Sequence, residues 1–396
     1  MFARTGCQPR YGGWAIPTGN TSVSECEDAS VNGLRVGIVG AVGRGGSYVA
    51  LLQSHPAAVV TALCDVNAAG LQDVGRRCGV SKLYTDYGEM LDAGGLDAVV
   101  VATPMPLHVP QSVEALRRGI SVLCEVPAAV SIEEAHELVK VCQQSSARYM
   151  MAENYCFTRE NMLVREIARA GLFGDMYFAE GEYVHELKGL NETTPWRRKW
   201  QTGINGNTYP THSLGPILQW MQERIVSVCC VGTGHHYTDP RGAYYENEDS
   251  TFTLCRTERG GLVKLRLDML SNRPHNLAYY SLQGTQGCYE APRGFGDRHK
   301  IWLASRHERM EWTALSELEA DFLPDVWRNP PRELLEAGHG GGDYLVVNEF
   351  VSAVLEGREP AIGIHEAMDM TLPGLVSQQS ISQGSVWLDV PDSRTW

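Results

Sequence analysis

The stretch LRVGIVGAVGRGGSYVALLQS, residues 34–54, narrows the fold more than any other part of the chain. An apolar run ends on Gly40, more glycines follow at 43 and 45, and Tyr48, Val49, Leu51 and Leu52 then recur at the spacing of a helix packed on a sheet. Strand, glycine turn and helix are thus written consecutively. Further apolar runs at 57–66 (AAVVTALCDV), 96–104 (LDAVVVATP) and 120–127 (ISVLCEVP) read as buried strands. Helical stretches separate them, among them QSVEALRRG and SIEEAHELVKVC, the latter opening with a capping box from Ser131 to Glu134. This alternation predicts a parallel, doubly wound α/β sheet.

The glycine loop reads Gly40-Ala41-Val42-Gly43-Arg44-Gly45, so a strict GxGxxG pattern fails at Val42. Glycines alone often make only a tight turn. Here the loop lies between a buried strand and a helix whose free N-terminal amides can hold a pyrophosphate. Asp65 closes the second strand twenty residues after Gly45, where a carboxylate accepts ribose hydroxyls and repels a 2′-phosphate. The expected cofactor is NAD. Arg44 keeps NADP open as an alternative, because a guanidinium in that loop can also meet a phosphate.

At 396 residues the chain has room for two domains, and a formal net charge of -13 argues against an extended nucleic-acid footprint. The basic WRRK at 196–199 is too short to reverse that, so a small molecule is the expected partner. Eleven cysteines occur without a CxxC pair; Cys64, Cys124 and the adjacent Cys229-Cys230 lie in apolar runs and read as reduced core thiols. No metal is expected, since His235-His236 lacks partner spacing that would demand one. No apolar segment approaches a membrane span, and the first thirty residues lack the apolar core of a signal peptide, which points to the cytoplasm. Residues 1–32 read as a flexible or oligomer-contacting arm, 33–155 as the nucleotide-binding domain and 156–396 as a substrate-binding and oligomerisation α/β domain.

In the second half, RENMLVREIARAGLFGD reads as a helix stopped by glycine, and residues 341–357 as another closed by Gly357. Between them MYFAEGEYVHE, RIVSVCCVG, STFTLCR, LVKLRLDML and LAYYSLQG read as strands of a large, mainly antiparallel open sheet. NGNTYPTHSLGP, residues 205–216, sets Tyr209 and His212 three apart, on one face of any helical turn. An imidazole titrates near neutrality and can exchange a proton with a sugar hydroxyl, with a phenol assisting; the same spacing also fits a purely structural pair. Glu153 ends a strand of the first domain, where strand ends line the ligand crevice. Tyr183 fits either a strand position covering a core or a ligand contact, and Arg197 either a ligand-facing arginine or a solvated basic turn.

ATPMPLHVP followed by CEVP resembles the Gfo/Idh/MocA oxidoreductases, which join a Rossmann domain to an open-sheet α/β domain. That resemblance places Thr103, His108 and Glu125 with Gly40, Val42, Gly43, Arg44, Gly45 and Asp65 among the cofactor-binding residues. Where most sugar dehydrogenases of the family carry Glu-Lys-Pro, with a proton-transferring lysine, this chain has Glu125-Val126-Pro127, with a special backbone geometry such as a cis bond a possibility at the proline. The pieces CEVPAAV, MMAENY, Trp196-Arg197, NGNTYPTH with LGP after it, QGTQG and GHGGGDY closely resemble glycoside hydrolase family 109, whose members include NAD-dependent α-N-acetylgalactosaminidases. They run from residue 124 to residue 344, over half of the chain.

The resemblance implies a glycosidase that works through redox. Bound NAD⁺ oxidises the sugar at C3, the acidified C2 proton is lost, the aglycone is eliminated, water adds, and the alcohol is restored, so no pair of carboxylates need straddle the bond. It further implies that His212 handles the proton near C3 and Tyr183 the one at C2, while Glu153, Arg197, Tyr209 and Tyr289 hold the sugar. His185 and Asp343 are further candidates for the pocket. The implied partner is a small glycoside or glycan terminus, and the implied assembly a homo-oligomer, dimer or tetramer. A sugar or cyclitol dehydrogenase and a non-catalytic NAD sensor are the alternatives; Val126 speaks against the first and the polar series Glu153, Arg197, Tyr209, His212 against the second.

Overall fold

The computed structural model describes residues 33–274 and 277–396, and the leader proposed for 1–32 lies outside them. Six parallel strands form the first sheet: β1 (Leu34–Val39), β2 (Ala58–Cys64), β3 (Leu83–Tyr84), β4 (Ala98–Val101), β5 (Ser121–Cys124) and β6 (Tyr149–Met151). Their order is β3-β2-β1-β4-β5-β6, so the winding direction reverses between β1 and β4. Val36, Ile38, Val99, Val100, Val122 and Leu123 are fully enclosed, as expected of parallel strands covered on both faces. Sheets wound in this way bind ligands at the carboxyl ends of the strands flanking the reversal, here β1 and β4. Gly40 lets the two chains meet there: its φ is +81°, and a Cβ would stand 2.5 Å from the carbonyl oxygen of Ala102. Only glycine meets both conditions.

The second sheet has nine strands in the order β14-β13-β12-β11-β7-β10-β9-β8-β15. These are β7 (Met176–Val184), β8 (Ile225–Gly232), β9 (Ser250–Thr257), β10 (Leu262–Asp268), β11 (Leu277–Gly284), β12 (Gly287–Glu290), β13 (Lys300–Leu303), β14 (Thr313–Ala314) and β15 (Leu388–Asp389). Pairing is antiparallel except between β7 and β10, which run parallel in the middle. Both sheets belong to one compact unit, Gly33–Trp396.

Two close approaches position the second half's polar residues. The helix Thr211–Met221 lies on β7 so tightly that a Cβ at Gly181 would come within 2.0 Å of the Ser213 carbonyl oxygen. The helix Ile364–Ser382, unread in the sequence because Pro373 and Gly374 interrupt it, supports the preceding segment: Ser377 Oγ accepts from Asn207 N–H at 2.9 Å, and a Cβ at Gly374 would meet Pro210 at 2.5 Å. Burial on all sides, from Met370 to Ser377, overrides those two poor helix formers.

Gly181→Ala should therefore push the helix Thr211–Met221 off β7 and cost about 1–3 kcal/mol through overpacking. A urea titration against the parent protein measures this, and an unchanged midpoint would disprove the tight contact.

Candidate active site

Glu153 follows β6 at the carboxyl edge of the first sheet and has no exposed surface. A buried carboxylate needs partners, and it has two. It accepts the Tyr155 N–H at 3.2 Å, and its oxygens lie 2.8 and 3.0 Å from Nδ1 of His212. Because a carboxylate only accepts, Nδ1 carries the proton, and Nε2 is the nitrogen left to exchange protons with a ligand. His212 is the second residue of its helix and 4% exposed.

Three phenols surround the imidazole, their ring centroids 4.5 Å (Tyr155), 5.0 Å (Tyr183) and 5.1 Å (Tyr209) from it. The Tyr183 hydroxyl pairs with His185 Nδ1 at 2.9 Å. Burial pushes all three phenols above the ordinary tyrosine range, so at neutral pH each keeps its proton. The charge of Arg197, in the short helix Pro195–Trp200, pulls the Tyr183 and Tyr209 phenols the other way. Its guanidinium lies 4.4 Å over Trp196 and gives one N–H to Gln201, while Nε is buried without a hydrogen-bond partner among the described residues. That orphaned donor points to a ligand acceptor.

A second carboxylate, Asp343, sits in the first turn of the helix Gly342–Glu356 and is 1% exposed. It accepts both terminal nitrogens of Arg44 at 2.7 and 2.8 Å, Nδ2 of Asn154 at 2.9 Å, and faces His339 Nδ1 at 3.1 and 3.2 Å. Arg44 Nε also reaches Glu125 at 2.7 Å, whose oxygen takes the Tyr48 hydroxyl. Burial alone would raise the Asp343 carboxyl; His339 and Arg44 hold it well below the usual carboxylate range.

The first half fits a dinucleotide. At Gly43 an added Cβ would meet only the Gly40 oxygen, 3.9 Å away, so the loop is open to a ligand there. Asp65 stands beside it and accepts from Val42 N–H at 2.9 Å and Asn67 N–H at 2.9 Å, a carboxylate placed for ribose hydroxyls. Thr103 and Gly45 flank the same crevice; the Thr103 hydroxyl is given to Gln111, and Gly45 N–H to the Gly40 oxygen.

Several sequence expectations need correction. Arg44 and Glu125, expected on the cofactor, are paired with each other, Arg44 with Asp343 as well, and both side chains keep some exposed surface. His108 is 1% exposed, with Nδ1 2.8 Å from the Pro127 oxygen and Nε2 2.9 Å from the Thr103 oxygen. It ties the end of β4 to the turn holding the cis Val126-Pro127 bond and has no nitrogen left for a ligand. Tyr289, expected on the sugar, is enclosed in the core against Trp220 with its hydroxyl on His299. Glu153 is fully enclosed behind His212, so it orients the imidazole in place of touching a sugar. Tyr155 and His339 were missed; the four-residue spacing of His339 and Asp343 in GHGGGDY was the available signal.

Residues 34–153 match the family model for the oxidoreductase family with an NAD-binding Rossmann fold, and residues 157–395 match that of the glycosyl hydrolase 109 C-terminal domain. Among curated proteins, a glycosyl hydrolase family 109 protein of Saccharopolyspora erythraea is 30% identical, the alignment covering 91% of this chain and 83% of that protein. One from Streptomyces niveus is 31% identical over 91% and 77% respectively. Among solved structures, levoglucosan dehydrogenase in complex with NADH and levoglucosan superposes with a TM-score of 0.77 at 20% identity, over 91% of this chain and 100% of that one. Myo-inositol 2-dehydrogenase from Lactobacillus plantarum gives 0.70 at 17% identity over 91% and 100%. Residues 34–153 are accordingly an NAD-binding Rossmann fold.

Two outcomes are expected. Glu153→Gln should lower kcat roughly 10²–10⁴-fold with NAD still bound, because the imidazolium formed in turnover loses its counter-charge; steady-state kinetics with NAD titration would show it, and full activity would refute the dyad. For His108, burial opposes the charge, but the Cys124 sulfur and the two carbonyls outweigh it and raise the imidazole to about 9. A raised folded-state value adds stability that is complete below an unfolded value of about 6.5 and is lost as pH climbs through about 9. Urea midpoints should fall between pH 6.5 and 9.5, and less so in His108→Gln; parallel curves for the two proteins would contradict the assignment.

Proposed function

The chain belongs to glycosyl hydrolase family 109, and from that premise we propose that it is an NAD-dependent glycosidase cleaving N-acetylhexosaminides, α-N-acetylgalactosaminides in preference, by transient oxidation at C3. Residues 33–155 bind the cofactor and 156–396 the glycoside. The carrying observation is the Glu153–His212 dyad, enclosed by phenols beside the NAD crevice, in a chain with Val126 where a dehydrogenase of the wider family has its lysine. When bound, NAD supplies the acceptor that takes a hydride from C3 and returns it at the end of the cycle.

His212 Nε2 takes the C3 hydroxyl proton, and Glu153 holds the ring and offsets the charge formed. Tyr183 takes the C2 proton on its hydroxyl oxygen while its own proton moves to His185 Nδ1, which answers its high phenol pKa: the tyrosinate need never accumulate. Arg197 Nε and Tyr209 hold oxygens of the sugar. A sensor has no use for a carboxylate-backed imidazole among three phenols. The dehydrogenase reading draws only on fold likeness, and it lacks the lysine.

Purified protein with p-nitrophenyl α-N-acetylgalactosaminide in deuterated water should release p-nitrophenol, place deuterium at C2 of the product and accumulate no NADH. His212→Ala should abolish release while retaining NAD. Accumulation of NADH with free sugars or cyclitols, without release, would overturn the reading in favour of a dehydrogenase.

A further inference from the structure

His339 lies outside the roles given so far, yet it repeats the His212 arrangement. Each imidazole has Nδ1 on an almost fully buried carboxylate, Glu153 for His212 and Asp343 for His339, and the two ring centroids are 6.4 Å apart. Tyr155 packs against both, at 4.5 and 6.1 Å. Their access differs: the side chain of His212 is 5% exposed and that of His339 36%. His339 is presented on a left-handed backbone, φ +54°, followed by Gly340 and Gly341 at +60° and +88°. That conformation is costly for a residue with a side chain and is kept here by the bond to Asp343. Asp343 is saturated by Arg44, Asn154 and His339, so it orients the ring and leaves Nε2 as the working atom.

Beside the groups at C3 and C2, a C3-oxidising glycosidase needs a third proton-transfer group, at C1. The C3 oxygen and the glycosidic oxygen hang on carbons separated by C2, and an imidazole engaged at one is occupied there. Resting on the glycosidase reading above, we propose that His339 is the catalytic acid for the departing glycosidic oxygen and the base for the incoming water. In elimination, the C2–H electron pair becomes the C1=C2 double bond, its proton going to Tyr183. The C1–O bond breaks with its pair on oxygen, and that oxygen takes the Nε2 proton of His339 and leaves as the alcohol. In hydration, neutral His339 takes a proton from water as the water oxygen bonds to C1, and the pair of the double bond recovers a proton at C2 from Tyr183. Protons and electron pairs balance, and His339 returns to its starting form. Two histidines of unequal access, each carboxylate-backed, divide the C3 and C1 work between them.

The test compares aglycones that differ in need of an acid. Asn tolerates a positive φ, so His339→Asn preserves the loop. Against the parent protein, its kcat/KM on methyl α-N-acetylgalactosaminide should fall about 100-fold more than on the p-nitrophenyl glycoside, whose phenolate departs unaided. In deuterated water, uncleaved methyl glycoside should acquire C2 deuterium, because deprotonation continues while departure stalls. NADH binding and melting temperature report folding, and His339→Gln carries the same comparison if the Asn variant does not fold. Equal losses on both aglycones, or none, would overturn the role of His339. Parent protein that releases no phenol and places no deuterium at C2 would instead bring down the underlying glycosidase reading.

Discussion

Asp343 holds the site together. Its carboxylate, at the start of a helix near the end of the chain, grips an arginine of the glycine loop 299 residues earlier and an asparagine just past the last strand of the first sheet. A charge this deeply enclosed is tolerated only when its partners are complete, so the glycine loop, the Asn154 turn and the His339 loop share one geometry or none. Gly342, whose Cβ would meet the Asn154 oxygen at 2.3 Å, lets the helix come near enough for that grip. The glycine loop and the imidazole cluster are thereby tied through one carboxylate.

Charge then divides the chemistry. Glu153 meets the proton-bearing nitrogen of a single imidazole, whereas the Arg44, Glu125 and Asp343 trio shares two carboxylates with one guanidinium and an outer imidazole. The phenols between them remain protonated through burial. The charged groups of the site are thus paired with one another, and the phenols among them stay neutral.

Much of this could be read from residues alone. Strand periodicity, the Gly40 turn and Asp65 carried the first sheet because parallel strands buried on both faces leave long apolar runs, and the Tyr209–His212 spacing led to the imidazole. What escaped was set by distant partners. Glu153 is recognisable as polar at a strand end, yet only the helix Thr211–Met221 reveals that it faces His212. That Arg44 pairs with Asp343, from the far end of the chain, has no local signal. Tyr289 and Tyr183 are both aromatic residues on strands, and register alone sends one into the core and the other into the cleft. The helix Ile364–Ser382 hid behind Pro373 and Gly374, whose local propensities tertiary burial overrode.

The contact at Gly181 carries a consequence for how such a site can change. The separation between β7 and the helix Thr211–Met221 is fixed by main chain against main chain, where a missing methyl group sets the gap. Tyr183 and His212 inherit their spacing from that gap and not from the side chains around them. Residues walling the cleft can therefore be exchanged with Tyr183 and His212 left in register: adaptability resides in the lining, and constancy in a backbone seam.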